Sequence, residues 1–291
     1  MILVTGATGQ LGTAVVRQLL ARTSAAQIAV LARDPGRAAG LEQQGVSVRP
    51  GEYADPGSLA RAMKGVDRVL LIASSEFQQR VQQHQNVIDA ARAAGVELFG
   101  FTSRSLRDMA APGNPAMRDY AETEARIGAS GLPAVIFRNA LYLDTLPVSL
   151  GGPAVFSTGI RVPAGPGAVA YALRRELGEA TANAMLGPPG GDRTYVLAAP
   201  RASTFDDVAR ALSEISGSPV AYTPVSDGDF VVHAIGQGIP EPMARYLVGF
   251  FADVRDHQLD ETSTDLQELL GRAPASLKDG LAELFTPPGR G

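Results

Sequence analysis

Short apolar runs recur through the first half of the chain, each followed by a stretch whose apolar residues fall three and four apart. Ile2-Leu3-Val4 precedes Leu11, Val15, Val16, Leu19 and Leu20, which share one face of a helix. Ile28 to Ala32 is a second run, followed by a helix around Gly36 to Gln44 that Gly45 closes, and Val46-Ser-Val48 is a third. Asp55-Pro56 reads as an N-cap with proline at the first helical position, opening a helix through Lys64 that stops at Gly65. Val69 to Ile72 is the fourth run. Gln79 to Ala94 is a long helix, closed by Gly95, with Val81, Val87, Ile88 and Ala91 on one side. Val96 to Phe101 and Pro133 to Phe137 are the fifth and sixth runs. The runs are continuous rather than alternating, as strands are when helices cover both faces of a parallel sheet. Strand and helix alternating in this way predict an α/β fold built on a doubly wound parallel sheet.

Beyond about residue 150 the pattern changes. Residues 151–167, "GGPAVFSTGIRVPAGPG", are rich in glycine and proline and read as loop or short edge strand. Arg174 to Met185 looks helical, Thr194 to Leu197 reads as a strand, and Ser203-Thr-Phe-Asp206 resembles a capping box opening a helix to about Ile215. The expected organisation is a domain over 1–150 and a smaller mixed α/β lobe over 151–291, with the helix near 174–186 packing back on the first domain.

Composition narrows the function. The 291 residues are 45% hydrophobic and 19% charged with a net charge of −4, which gives a globular chain without a basic footprint for nucleic acid or anionic membrane. There is no cysteine, and His84, His233 and His257 lie far apart, so no metal site is expected. No apolar run approaches the length of a membrane span, and the first residues enter a strand without a charged leader; the expected location is the cytoplasm.

The loop behind the first strand, "TGATGQLG" at residues 5–12, carries Gly6, Gly9 and Gly12. In a chain with 32 glycines such spacing means little by itself, and the context decides. Here a strand precedes it, an amphipathic helix follows, and another strand lies some 20 residues on. A helix N-terminus with free N–H groups then faces a site that suits a pyrophosphate, and a dinucleotide is expected. The second strand ends Leu31-Ala32-Arg33, with Arg37 one turn beyond. A guanidinium there fits a ribose 2′-phosphate, so NADPH is expected ahead of NADH. Asp34 is the competing observation, being the acid of an NAD site read one place late, although its place before Pro35 suits a turn or cap.

The segments "TGATGQLG", "LARDPGRA", "GVSVRPGEYADPGSL" and "VLLIASSE" resemble the NmrA-like branch of the atypical short-chain dehydrogenases. The likeness continues through "AARAAGV", "FTS", "ETEARIGASGLP", "FRNALYLD", "YTPVSDGDF" and "GIPEPMA", nearly the whole chain, with "YAETE" at 120–124 and "RNALY" at 138–142 as its narrower signature. Within that branch the chain resembles the bacterial NADPH-dependent quinone oxidoreductases and, equally, the triphenylmethane reductases. The resemblance implies an NADPH-binding fold with a small substrate lobe and a homodimer. Carried over by position, it implies that Gly6, Thr8, Gly9, Gln10 and Leu11 wrap the pyrophosphate and that Arg33 takes the 2′-phosphate. It further implies that Ser74 and Ser75 line the ribose, and that Thr102, Ser103 and Asn139, just after the fifth and sixth strands, flank the nicotinamide.

The chemistry is less legible. Ordinary short-chain dehydrogenases place a tyrosine and a lysine four residues apart, the lysine helping the phenol protonate a developing alkoxide. Tyr120 invites that role, but Glu124 stands in the lysine's place, and a carboxylate there disfavours the phenolate. The named relatives usually carry histidine at this position, so the chain departs from them too. Hydride addition to a quinone yields a phenolate-like anion that needs little proton help, which favours quinone-type, electron-poor conjugated acceptors over simple ketones. Phe77, Tyr120, Tyr142 and the segment 107–117, read as a lid, are candidate slot walls, and Ser103 is a candidate donor to an acceptor oxygen. Arg174 reads as a solvated helix-start residue where relatives have Arg-x-Asp and this chain has Glu176, and His84 as part of a polar helix face. Two other readings stay open: a non-catalytic dinucleotide sensor, and a reductase or epimerase of a biosynthetic intermediate with Tyr120 as acid.

Overall fold

The computed structural model describes residues 1–109, 117–188, 190 and 192–286. Its strands are β1 (Ile2–Val4), β2 (Ile28–Ala32), β3 (Ser47–Pro50), β4 (Arg68–Ile72), β5 (Leu98–Arg104), β6 (Ala134–Asn139), β7 (Ala168–Val169), β8 (Arg193–Leu197) and β9 (Ser203–Thr204). Seven of them form one sheet in the order β3-β2-β1-β4-β5-β6-β8, every neighbouring pair parallel. The chain winds outward from β1 to β3 and then returns to β4, so a crevice opens between β1 and β4 at the carboxyl edge.

Both faces are covered, which explains the unbroken apolar runs. On one face Leu3, Leu31, Leu71 and Phe99 meet Leu59, Ile88 and Ile127, from helices Pro56–Ala62, Arg80–Ala94 and Arg118–Ser130. On the other, Val4, Val30, Leu98 and Phe137 meet Val15, Met185 and Leu266, from helices Gln10–Leu20, Arg174–Leu186 and Asp265–Leu270. Helix Arg174–Leu186 lies so close to helix Gln10–Leu20 that a Cβ on Gly178 would fall 2.7 Å from that of Ala14. The strand expected nearby in the second half, β8, is the sheet's seventh, paired with β6. The sheet is completed from beyond residue 150.

A second core belongs to the lobe. Phe205, Phe230 and Phe251 pack edge to face, with centroids of Phe205 and Phe230 at 5.9 and 5.2 Å from Phe251, among leucines and valines of residues 141–285. Its helix Phe205–Ser216 is capped by Thr204 and Asp207, one residue later than the capping box expected at Ser203 and Asp206. Ser203 instead pairs with Val169 across the β7–β9 ladder. Strands β5 and β6 also run further than their apolar stretches, because the ladder continues through Ser103↔Arg138 and Arg104↔Asn139. Thr102, Ser103 and Asn139 are thus the last rungs of strands and not loop residues.

Candidate active site

At the crevice, Gly6 takes a left-handed φ of +59°, which turns the chain sharply out of β1. The N–H of Gly9 returns to the Gly6 carbonyl at 3.0 Å, so the loop folds on itself and aims the start of helix Gln10–Leu20 into the opening. A Cβ on Gly12 would stand 2.2 Å from the Gly6 oxygen, so only glycine permits this turn. Gly6, Thr8 and Gly9 line a cavity of about 560 Å³ together with Arg33, Arg37, Ser74 and Ser75. Gln10 is exposed at the helix start, whereas the side chain of Leu11 is buried in the core, which leaves only its backbone to a ligand.

Glycines that exclude side chains, a helix start and two arginines fit a pyrophosphate with a further phosphate at the adenosine end. Arg33 is exposed and pairs with Glu76 at 2.9 Å. Asp34 caps the following turn, accepting from Gly36 N–H at 3.0 Å, and one carboxylate oxygen is thereby engaged although the residue also lines the cavity. Tyr53, which the sequence did not single out, forms part of the lining; its hydroxyl donates to Ile72 O at 2.9 Å and lies 2.5 Å from Thr5 Oγ1.

The loop after β4 is held from behind. Ser74 N–H donates to His84 Nε2 at 2.9 Å, which leaves the imidazole proton on Nδ1, facing Thr123 Oγ1 at 2.9 Å; Thr123 donates onward to Asp119 O. His84 is fully buried, so the polar helix face expected around it is packed inside the protein at this position. The glutamines around it gave that impression, yet Gln83 is buried too, accepting from Ser74 Oγ and donating to Glu76 at 2.6 Å each. Burial, assisted by the nearby Arg80 charge, pushes the imidazole down to about 3. The unfolded chain therefore takes up a proton near pH 6.5 that the native protein refuses. His84's contribution to stability is whole above that pH and is lost as pH falls toward about 3. Urea unfolding at pH 7 and pH 5 is expected to lose roughly 2 kcal/mol from this residue, a loss absent in His84→Gln. Equal losses in both proteins would mean that His84 titrates freely in the native state.

Arg80 is the second residue that sequence reasoning missed. It is buried, donates from Nε to Ser74 O at 2.8 Å, and places its guanidinium 4.6 Å from the Phe77 ring and 4.9 Å from the Tyr120 ring. Phe77 is half-exposed and also touches Tyr246 of the lobe, with centroids 5.9 Å apart. The loop, the helix bearing Tyr120 and the lobe thus meet around one cation.

Further along the edge, Thr102 Oγ1 accepts from Ala73 N–H at 3.0 Å. Ser103 is buried and donates to Glu124, whose carboxylate is held by Arg138 at 2.6 Å. Glu124 is therefore engaged by Arg138 and Ser103. Tyr142 lies beneath Arg174, 4.5 Å from its ring centre, and Arg174 reaches Asp144 at 3.8 Å. That replaces the solvated role expected for Arg174. Burial pushes the Tyr142 phenol up, against the pull of the Arg104 and Arg174 charges and the Asn139 amide. Asn139 is completely buried; its amide acts on the neighbouring Tyr142 phenol, but neither of its atoms has a well-aligned hydrogen-bond partner. Glu176, at the acidic place of the Arg-x-Asp pattern, is buried and accepts from Ala275 N–H and Arg272, tying helix to lobe. Most of the segment expected to form a lid, residues 110–116, lies outside the described residues.

The NmrA-like family model matches residues 1–281. The chain belongs to the NmrA-like family. This NmrA-like protein is 34% identical over 286 residues to quinone oxidoreductase 2 of Escherichia coli, covering 98% of this chain and 99% of that one. It is 30% identical over 247 residues to an NAD(P)H azoreductase of Xenophilus azovorans, 84% of each. Among solved structures, an Escherichia coli NADPH-dependent quinone oxidoreductase in complex with NADPH superposes with a TM-score of 0.91 at 34% identity, covering 98% of this chain and all (100%) of the other. The Citrobacter sp. triphenylmethane reductase complexed with NADP(H) does so with a TM-score of 0.91 at 33% identity and the same coverage. No helix among the described residues is long and apolar enough to cross a membrane.

Proposed function

We propose that the protein is an NADPH-dependent oxidoreductase that passes hydride to a quinone or a similar electron-poor conjugated acceptor. The observation that carries this reading is the cavity whose glycine cradle and two lining arginines suit a phosphorylated dinucleotide, in a chain 34% identical along its length to a quinone oxidoreductase. When bound, the reduced nicotinamide supplies the hydride, and a proton from solvent completes quinone to hydroquinone.

The chain's own residues bind, orient and enclose. The backbone of residues 6–11 holds the pyrophosphate, Arg33 and Arg37 the 2′-phosphate, and Ser74 and Ser75 the ribose. Thr102 and Asn139 flank the reacting end, with Phe77, Tyr120 and Tyr142 around the acceptor. Ser103 spends its proton on Glu124, and Tyr120 has no lysine beside it, so the site offers orientation more than acid catalysis. That suits an acceptor whose reduced oxygen carries charge unaided. We assign 1–150, completed by 174–197, to the dinucleotide-binding unit and the rest of 151–291 to the substrate lobe; the resemblance carries with it a homodimer.

The test is oxidation of NADPH, followed at the nicotinamide absorbance band, with a quinone and with a simple ketone. Turnover of the quinone alone is expected. Tyr120→Phe is expected to stay within about 3-fold of the parent, whereas a fall in the range of about 10²–10⁴-fold would make Tyr120 the acid and favour the biosynthetic reductase or epimerase instead.

A further inference from the structure

The carboxyl edge of β5 and β6 carries a cation that forms no ion pair with an acid among the described residues. Arg104 ends β5 in register with Asn139, the last residue of β6, so both side chains rise from the same face of the sheet. The other arginines at this edge have carboxylate partners: Arg138 has Glu124, and Arg174 has Asp144. Arg104 makes no ion pair with any described residue, and its Nε is enclosed without a hydrogen-bond partner. Glu261, which is also at this edge, accepts from Ser105 at 2.7 Å. The Arg104 guanidinium lies 5.8 Å from the centre of the Tyr142 ring, which Arg174 covers at 4.5 Å.

A second orphan stands beside the first. Asn139 is 0% exposed and both its amide atoms lack well-aligned partners. A buried amide short of well-aligned partners costs free energy that a ligand recovers, and that amide beside the Tyr142 phenol, with the Arg104 guanidinium 5.8 Å from the ring centre, describes a place for an oxygen. A guanidinium fork prefers that oxygen to be anionic, and two guanidinium groups over one ring repel a cation.

We propose that Arg104, with Asn139 and Tyr142 beside it, receives a negatively charged oxygen of the acceptor. The protein then selects flat conjugated acceptors bearing an anionic oxygen over neutral or cationic ones of the same shape. The inference rests on the oxidoreductase reading above and names the class of acceptor for that same site.

Two quinones of similar size separate the charge: 2-hydroxy-1,4-naphthoquinone, an anion at pH 7, and its neutral 2-methoxy ether. The ratio of kcat/KM for the anion to that for the ether is expected to fall by about 10–100-fold in Arg104→Gln. Intrinsic reactivity cancels when the same ratio is compared between two proteins. Arg104→Lys, which keeps the charge, is expected to retain most of the preference. An unchanged ratio in Arg104→Gln overturns the proposal. Calorimetric titration of both compounds reads the subsite without turnover: the anion is expected to bind the parent protein more tightly than the ether, and a parent that binds them equally overturns the proposal even if neither variant folds. Tighter anion binding with no NADPH oxidation would sustain the subsite and sink the oxidoreductase reading alone.

Discussion

Replacing Gly12 by alanine is expected to weaken NADPH binding by about 100-fold, close to 2.7 kcal/mol, while leaving the protein folded. The added methyl would stand 2.2 Å from the Gly6 oxygen and 2.7 Å from the Ala7 Cα, both backbone atoms that no rotamer change can move aside. The loop must then open, and the N–H groups at the start of helix Gln10–Leu20 lose their common aim. Because Val15, Val16 and Leu19 anchor that helix in the core, the damage stays at its first turn. Calorimetry with NADPH, together with a thermal melt, checks this. A variant that binds NADPH as the parent does would mean that the cofactor does not rest on this turn.

The second large effect concerns which dinucleotide is held. Arg33→Ala combined with Arg37→Ala is expected to cost NADPH about 10–100-fold in affinity and to leave NADH within about 3-fold, because charge-assisted hydrogen bonds to a phosphate are the strong ones. Arg33 already answers an anion, Glu76 at 2.9 Å, and a 2′-phosphate takes the carboxylate's place on a side chain that stays exposed and free to turn. The pair being exposed, little is lost when it opens. Parallel losses for NADPH and NADH would place the phosphate elsewhere and return Asp34 to consideration, despite its bond to Gly36.

The sheet was legible because burial on both faces writes each strand as an unbroken apolar run, and the turns because Gly45, Gly65 and Gly95 take left-handed φ after helices or turns. Asp34 and Asp55 were legible as caps for the same local reason: both accept from the N–H two residues on. The cradle followed, since its glycines and its helix are neighbours in sequence. What escaped is what folding assembles from polar residues far apart. His84 meets Ser74 and Thr123, Arg80 meets Tyr120, Glu124 meets Arg138, and Arg174 meets Tyr142. A glutamine-rich helix face with weak apolar periodicity looks solvated until its partners are in place. Tyr53, an aromatic among polar loop residues, carried no periodic signal at all. β8 was seen as a strand, but its place beside β6 depends on a crossover that local pattern does not encode.

Whether the loop behind β1 grips a phosphorylated dinucleotide is decided by calorimetric titration of the protein with NADPH and, separately, with NADH. A single site per chain that favours NADPH by about tenfold or more is the predicted result. No heat with either dinucleotide, or tighter binding of NADH, would contradict it.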